Sequence, residues 1–231
     1  MRRPFPPAGV PRRPAVSVDP FGWIARHTGP TALHRAIRYG GVVLFGAFLI
    51  RRITQYEDFA LKPLWAVETL IYAALLSAFL MRVEPVERSS GWRDIAIPLI
   101  GAVLPFALLT SAPHPAIAAD PLLVQIVFWW MTVASAITVW GVWTLRRAFS
   151  ITVEARELVA SGPYRWVRHP IYLGEIVTAG AVATWRFSWI NVAVLVLFAT
   201  IQLVRARLEE RKLARWFPQY TSLLGWWFWR V

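Results

Sequence analysis

The sequence predicts an all-α, polytopic membrane helical bundle, and three observations predict it. First, 57% of the 231 residues are hydrophobic and only 16% are charged, whereas a soluble domain has about 45–50% apolar and about 25% charged residues. Second, the apolar residues gather in runs long enough to cross a hydrocarbon core of about 30 Å. Third, the 14 Trp residues suit aromatic belts at the two membrane interfaces. Inside a bilayer only helices and closed barrels satisfy the backbone, and no ten-residue alternating pattern announces a barrel. A soluble globular enzyme is excluded on these grounds. The chain has no Cys, which excludes disulfides and thiolate metal sites.

Residues 1–36 differ from the rest. Seven Pro (Pro4, Pro6, Pro7, Pro11, Pro14, Pro20 and Pro30) stand among arginines, a composition that cannot bury a core and reads as a Pro/Arg-rich cytoplasmic tail. Its Phe21–Ile37 part is suited to lie along the membrane surface, with Gly29-Pro30 as a helix breaker. It is not a signal peptide, because no continuous apolar run follows the early arginines.

About six transmembrane segments follow. Helices 1–4 occupy residues 37–145, as runs at about 37–53, 61–81, 95–112 and 121–145, the third with Pro98 and Pro105 inside it and the fourth the longest. The C-terminal region, 146–231, holds the fifth run at about 171–185 and the sixth at about 188–204. Only Trp185-Arg186-Phe187 separates these two, so they read as a hairpin.

The charge balance, 25 Lys+Arg against 13 Asp+Glu, gives a net charge of +12. With a cytoplasmic N-terminus and six crossings, 21 of the 25 cations fall on 1–38, 82–94, 146–170 and 205–231. That asymmetry is what the positive-inside rule requires, and it places both termini in the cytoplasm. A nucleic-acid partner is excluded, since no soluble module carries a basic face.

Polar residues within the runs are few, and Glu68 and Gln125 are the clearest. An intramembrane carboxylate is a functional candidate by default. Alternatively, Lys62-Pro63 opens that helix at the outer surface and leaves Glu68 only about two turns deep. His27, His34, His114 and His169 are isolated, with no metal-ligand spacing, and no Gly-rich phosphate loop occurs.

Two stretches are informative. In residues 157–175, ELVASGPYRWVRHPIYLGE, Gly162-Pro163 forces a turn and Pro170 suits the first turn of the fifth helix. His169 then falls at the helix N-terminus with its free N–H groups, and Tyr164, Arg165, Trp166 and Arg168 occupy the interface. In residues 203–220, LVRARLEERKLARWFPQY, Arg205 and Glu209 lie at i and i+4 on one face, and Glu210 is turned about 100° away. Taken singly, these read as an anchored helix start and a solvated juxtamembrane helix. The hairpin, however, returns 205–210 to the membrane surface occupied by 164–172.

Together, Leu158-Val159, Gly162-Pro163-Tyr164, Arg168-His169-Pro170-x-Tyr172-x-Gly174, Glu209-Glu210-x-x-Leu213 and Phe217-x-x-Tyr220 resemble the isoprenylcysteine carboxyl methyltransferase family, part of a wider set of integral membrane methyltransferases that includes phospholipid N-methyltransferases. The resemblance covers about residues 145–220. It implies S-adenosylmethionine bound between the last two helices and the cytoplasmic segments joining them. Leu158, Val159, Tyr164, His169, Pro170, Ile171 and Tyr172 would hold its adenosine and methionine portions, Glu209 would also contact it, and Arg205 would meet the acceptor carboxylate. No metal is implied. Two departures concern the acceptor side: Leu223 stands where the family often has a second Tyr, and Gly225-Trp226-Trp227-Phe228-Trp229 is unusually apolar.

The expected function is therefore S-adenosylmethionine-dependent methylation of a hydrophobic small-molecule or lipid-linked acceptor at the cytoplasmic face. The membrane would be the inner (cytoplasmic) membrane, or the endoplasmic reticulum in a eukaryote. The resemblance favours a carboxylate acceptor, while the residues alone leave carboxylate, amine and thiol open. Two alternatives are a membrane reductase using NADPH, since some sterol reductases share a related C-terminal layout, and a non-enzymatic transport or accessory protein. Glu68 and the two prolines of the third segment are features transporters use.

Overall fold

A computed structural model of the chain describes residues 30–59, 61–82, 93–152 and 158–217. The tail before Pro30, and Tyr220, Leu223 and the apolar C-terminal run, lie outside the described residues. The elements in order are α1 (Pro30–Thr54), α2 (Lys62–Leu80), α3 (Arg93–Val103) running on as a 3-10 helix over Leu104–Thr110, a single turn α4 (Pro115–Ala118), α5 (Pro121–Leu145), α6 (Pro170–Trp185) and α7 (Trp189–Trp216). Short 3-10 turns at Arg146–Ala148 and Gly162–Arg165 precede α6. No β-strand occurs among the described residues.

Helix starts follow the local sequence. Proline occupies the first turn of α2, α5 and α6, where its missing N–H leaves no hydrogen bond unmade. Asp120 caps α5 by accepting from the N–H of Leu122 at 2.8 Å and of Leu123 at 3.3 Å. Ser188 caps α7 by accepting from Asn191 N at 3.1 Å. The same physics moves one boundary: the first helix is expected from about residue 37, whereas α1 begins at Pro30 and residues 30–36 are helical. In the third segment Pro98 is accommodated within α3, while the chain tightens to a 3-10 helix at Leu104-Pro105, where Pro105 has no N–H to give to an i−4 carbonyl.

Among the described residues, four helical stretches are long and apolar enough to cross a membrane: Lys62–Leu80, Arg93–Thr110, Pro121–Leu145 and Trp189–Trp216. The remaining two expected spans are α1, which carries Arg35, Arg38, Arg51 and Arg52, and α6, whose 16 residues reach about 24 Å. Large apolar side chains face outward, among them Val43 (72% exposed), Trp189 (79%) and Ile190 (75%), an arrangement suited to lipid and not to water.

The expected hairpin is present: α6 and α7 are joined by Arg186, Phe187 and Ser188. Its turn is pinned to the end of the 3-10 helix. Arg186 donates to the carbonyls of Leu109 (3.2 Å) and Ser111, and buried Asn191 donates to Ser111 Oγ (2.8 Å) and to the Arg186 carbonyl (2.6 Å). The broadest packing of α6 is nevertheless against α5. Gly174 permits it, since a Cβ there would stand 2.9 Å from the Ala134 carbonyl oxygen and from Thr138 N. Small residues let membrane helices approach in this way.

Glu68 is ion-paired with Arg52 at the end of α1, whose carbonyl also accepts from Trp65 Nε1 at 2.8 Å. It is thus part of the α1–α2 contact.

Candidate functional site

The antiparallel return of α7 along α6 encloses a cavity of about 540 Å³. Its lining on α7 runs from Leu213 back to Phe198, about 22 Å along the helix axis. One end is polar, with Tyr164, Arg168, His169, Tyr172, Glu175, Arg205 and Glu209 on its wall. The other is apolar, built from Pro105, Phe106, Leu108 and Leu109 of the 3-10 helix, Ala179 and Val182 of α6, and Phe198. Phe45 of α1 and Ile71 and Leu75 of α2 complete the wall between them.

Eight of the nine predicted site residues line this one cavity: Leu158, Val159, Tyr164, His169, Ile171, Tyr172, Arg205 and Glu209. Pro170 does not line it; it is buried in the first turn of α6, where it sets the direction of its neighbours.

His169 is the N-cap of α6, yet its side chain makes no capping bond. The ring reaches α7 instead, with Nε2 3.2 Å from Glu210 Oε1 and Nδ1 3.9 Å from Glu209 Oε2. One imidazole thus bridges two consecutive carboxylates that point about 100° apart around the helix. Glu210 is completely buried, and Arg168 Nη1 stands 3.8 Å from it. The Tyr172 ring stacks on His169, at 5.4 Å between centroids and 8° between planes, and its hydroxyl donates to Glu209.

Arg205, also buried, lies over the other side of this cluster. Its guanidinium carbon is 4.7 Å from the Tyr172 ring centroid. Nη1 donates to Gln202 Oε1 at 2.8 Å and Nη2 to the Ile151 carbonyl at 3.2 Å. Gln202 Nε2 in turn donates to Glu175. Below the site, Lys212 pairs with Asp94 at 2.5 Å, holding the C-terminal end of α7 to the start of α3.

The approach to α6 turns at Gly162, whose φ of 58° favours glycine. This brings the Tyr164 hydroxyl within 3.5 Å of the Gly141 carbonyl, to which it donates. Burial pushes the Tyr164 phenol well above its ordinary value, with Glu209 and Glu175 adding to the rise, so it is a neutral donor at any physiological pH.

Sequence reasoning missed Arg168 as a partner of Glu210, and Glu175 and Gln202 altogether. A signal was available: Gln202 is a polar residue inside the apolar sixth run, three positions before Arg205, and Glu175 follows directly on Gly174. Among the described residues no group of three His, Cys, Asp or Glu side chains is placed to hold a metal.

Fold and site together define a helical membrane protein with a buried cavity that is charged at one end and apolar at the other. Residues 122–215 match the model of the isoprenylcysteine carboxyl methyltransferase (ICMT) family, the family that the motifs resemble. The match runs through α5, α6 and almost all of α7, takes in every predicted site residue, and supports a membrane methyltransferase. No curated protein and no solved structure matches the chain.

Proposed function

We propose that the protein is an S-adenosylmethionine-dependent integral membrane methyltransferase acting on a hydrophobic or lipid-linked acceptor at the cytoplasmic face, with a carboxylate as the favoured nucleophile. One observation carries this reading: a single cavity joins the cluster of polar residues to an apolar arm. A water-soluble cofactor and an apolar acceptor would each need one of those two environments, side by side.

The residues present fit the cofactor. Glu209 is a carboxylate acceptor for its hydroxyl or ammonium groups, Tyr164 is a neutral donor, and Leu158 and Val159 offer apolar contact for an adenine ring. When bound there, S-adenosylmethionine supplies a methyl group on a positively charged sulfur. The chain's own contribution is positional, because in-line methyl transfer depends on alignment. A carboxylate acceptor is already nucleophilic at neutral pH and needs no base. The guanidinium of Arg205 grips such a group by parallel hydrogen bonds, and the apolar arm between α3, α6 and α7 holds the tail and excludes water.

The positive-inside asymmetry supports a cytoplasmic site and six crossings, with α1 and the short α6 as the two beyond the four long apolar helices. The membrane would be the inner membrane, or the endoplasmic reticulum in a eukaryote. The pairing of Glu68 with Arg52 removes the best support for a transporter. To test the reading, membranes containing the protein are incubated with methyl-labelled S-adenosylmethionine and the labelled lipids are identified. Base-labile label on an apolar acceptor is expected, as for a methyl ester. Base-stable label would move the acceptor to an amine or thiol, and label no greater than in membranes lacking the protein would contradict the reading.

A further inference from the structure

We propose that Glu175 and Gln202 form a relay that sets the orientation of the Arg205 guanidinium on the cavity wall, where it would meet the carboxylate of the acceptor. The inference rests on the methyltransferase reading and assigns two positioning residues to its acceptor side.

Gln202 is 1% exposed and uses both ends of its amide: Nε2 donates to Glu175 on α6, and Oε1 accepts from Arg205 Nη1 at 2.8 Å. An amide can be turned end for end at almost no steric cost. Here one orientation serves both neighbours: the guanidinium only donates and so meets Oε1, while the amide nitrogen donates to the Glu175 carboxyl. Glu175 and Arg205 therefore hold Gln202 between them. The Ile151 carbonyl takes one Nη2 hydrogen at 3.2 Å, and the Tyr172 ring lies 4.7 Å from the guanidinium carbon. The plane of the group is thus held by three contacts from different parts of the chain.

Arg205 lines the cavity, so its guanidinium stands at the edge of the space an acceptor would fill, where its donors would meet a carboxylate. A direct Glu175–Arg205 contact would occupy the guanidinium's donors, whereas Gln202 keeps that carboxyl one residue away.

The test uses the full chain in lipid nanodiscs and calorimetric binding of two probes, N-acetyl-S-farnesylcysteine and its carboxamide. Their affinity ratio measures recognition of the carboxylate alone. S-adenosylmethionine is titrated separately, so that the cofactor reading is judged independently. The wild type is expected to prefer the carboxylate, and Arg205→Ala to abolish the preference. Gln202→Leu is expected to lower it by about tenfold, as when one hydrogen bond to a charged group is lost, without changing the affinity for S-adenosylmethionine. Gln202→Glu, which keeps an acceptor for Arg205 but neutralises it, is expected to lower it as well and decides the matter if Gln202→Leu does not fold. A preference that survives both Gln202 variants but not Arg205→Ala would leave the clamp standing and overturn the relay. A wild type without preference would overturn relay and clamp together, while cofactor binding reports whether the enzyme reading survives.

Discussion

His169 Nε2 lies 3.2 Å from Glu210 Oε1, a contact between residues 41 positions apart in the chain. It fastens the N-cap residue of α6 to the C-terminal part of α7 at the charged end of the cavity. Because the same imidazole stands 3.9 Å from Glu209, a residue facing the cavity is held by one that is wholly enclosed.

Glu210 is therefore expected to matter first for stability. Removing its carboxylate breaks the contacts with His169 and Arg168, and breaking a buried pair on one side costs about 3–5 kcal/mol. Thermal denaturation in detergent should show Glu210→Ala well below the wild type and Glu210→Gln between the two. An unchanged melting temperature for Glu210→Ala would mean that the contact contributes nothing.

The close approach of α5 and α6 depends on Gly174. A methyl group there meets backbone atoms at 2.9 Å, so Gly174→Ala should destabilise by about 1–3 kcal/mol, in the range of overpacked sites. Gly40, where a Cβ would have nothing within 4 Å, is the control. Gly40→Ala should be neutral or slightly stabilising, because alanine is the better helix former.

Tyr164 gives stability an alkaline limit. Its folded phenol holds its proton above the ordinary range, whereas the unfolded phenol loses it near pH 10. Above that pH the folded state binds the extra proton, so stability falls as pH rises. Denaturation followed from pH 8 to 11 should show this decline in the wild type and a shallower one in Tyr164→Phe. Identical slopes would contradict the assignment.

The Glu68–Arg52 pair is expected to be structural. Glu68→Gln should cost about 1 kcal/mol, as for a partly exposed ion pair, and leave the affinity for S-adenosylmethionine unchanged. Combining it with Arg52→Ala should cost less than the two single changes added, because both remove one interaction. Loss of cofactor affinity in Glu68→Gln alone would tie this pair to the site.

The sequence made α5 and the α6–α7 hairpin legible because a proline opens an apolar run at Pro121 and at Pro170, and only three residues part the last two runs. It misplaced the start of α1, where Pro30 reads equally well as a breaker and as a first-turn residue. The charged end of the cavity was legible because its residues sit in two short ordered motifs, and the hairpin joins these. The apolar end was not. Gly101, Phe106 and Leu108 carry no signature as side chains, and only the packing of α3 and its 3-10 extension against α7 makes them a cavity wall. Gln202 and Glu175 stayed hidden for a related reason: each looks like an isolated polar residue until the two helices bring them together.

The central claim is that the charged end of this cavity binds S-adenosylmethionine, and calorimetry on the purified chain tests it most directly. Saturable binding is expected. Glu209→Ala should weaken it by about tenfold or more, the scale of a lost hydrogen bond from a charged group, while melting as the wild type does. No heat above background for a folded wild-type chain, or equal affinity in Glu209→Ala, would contradict the account.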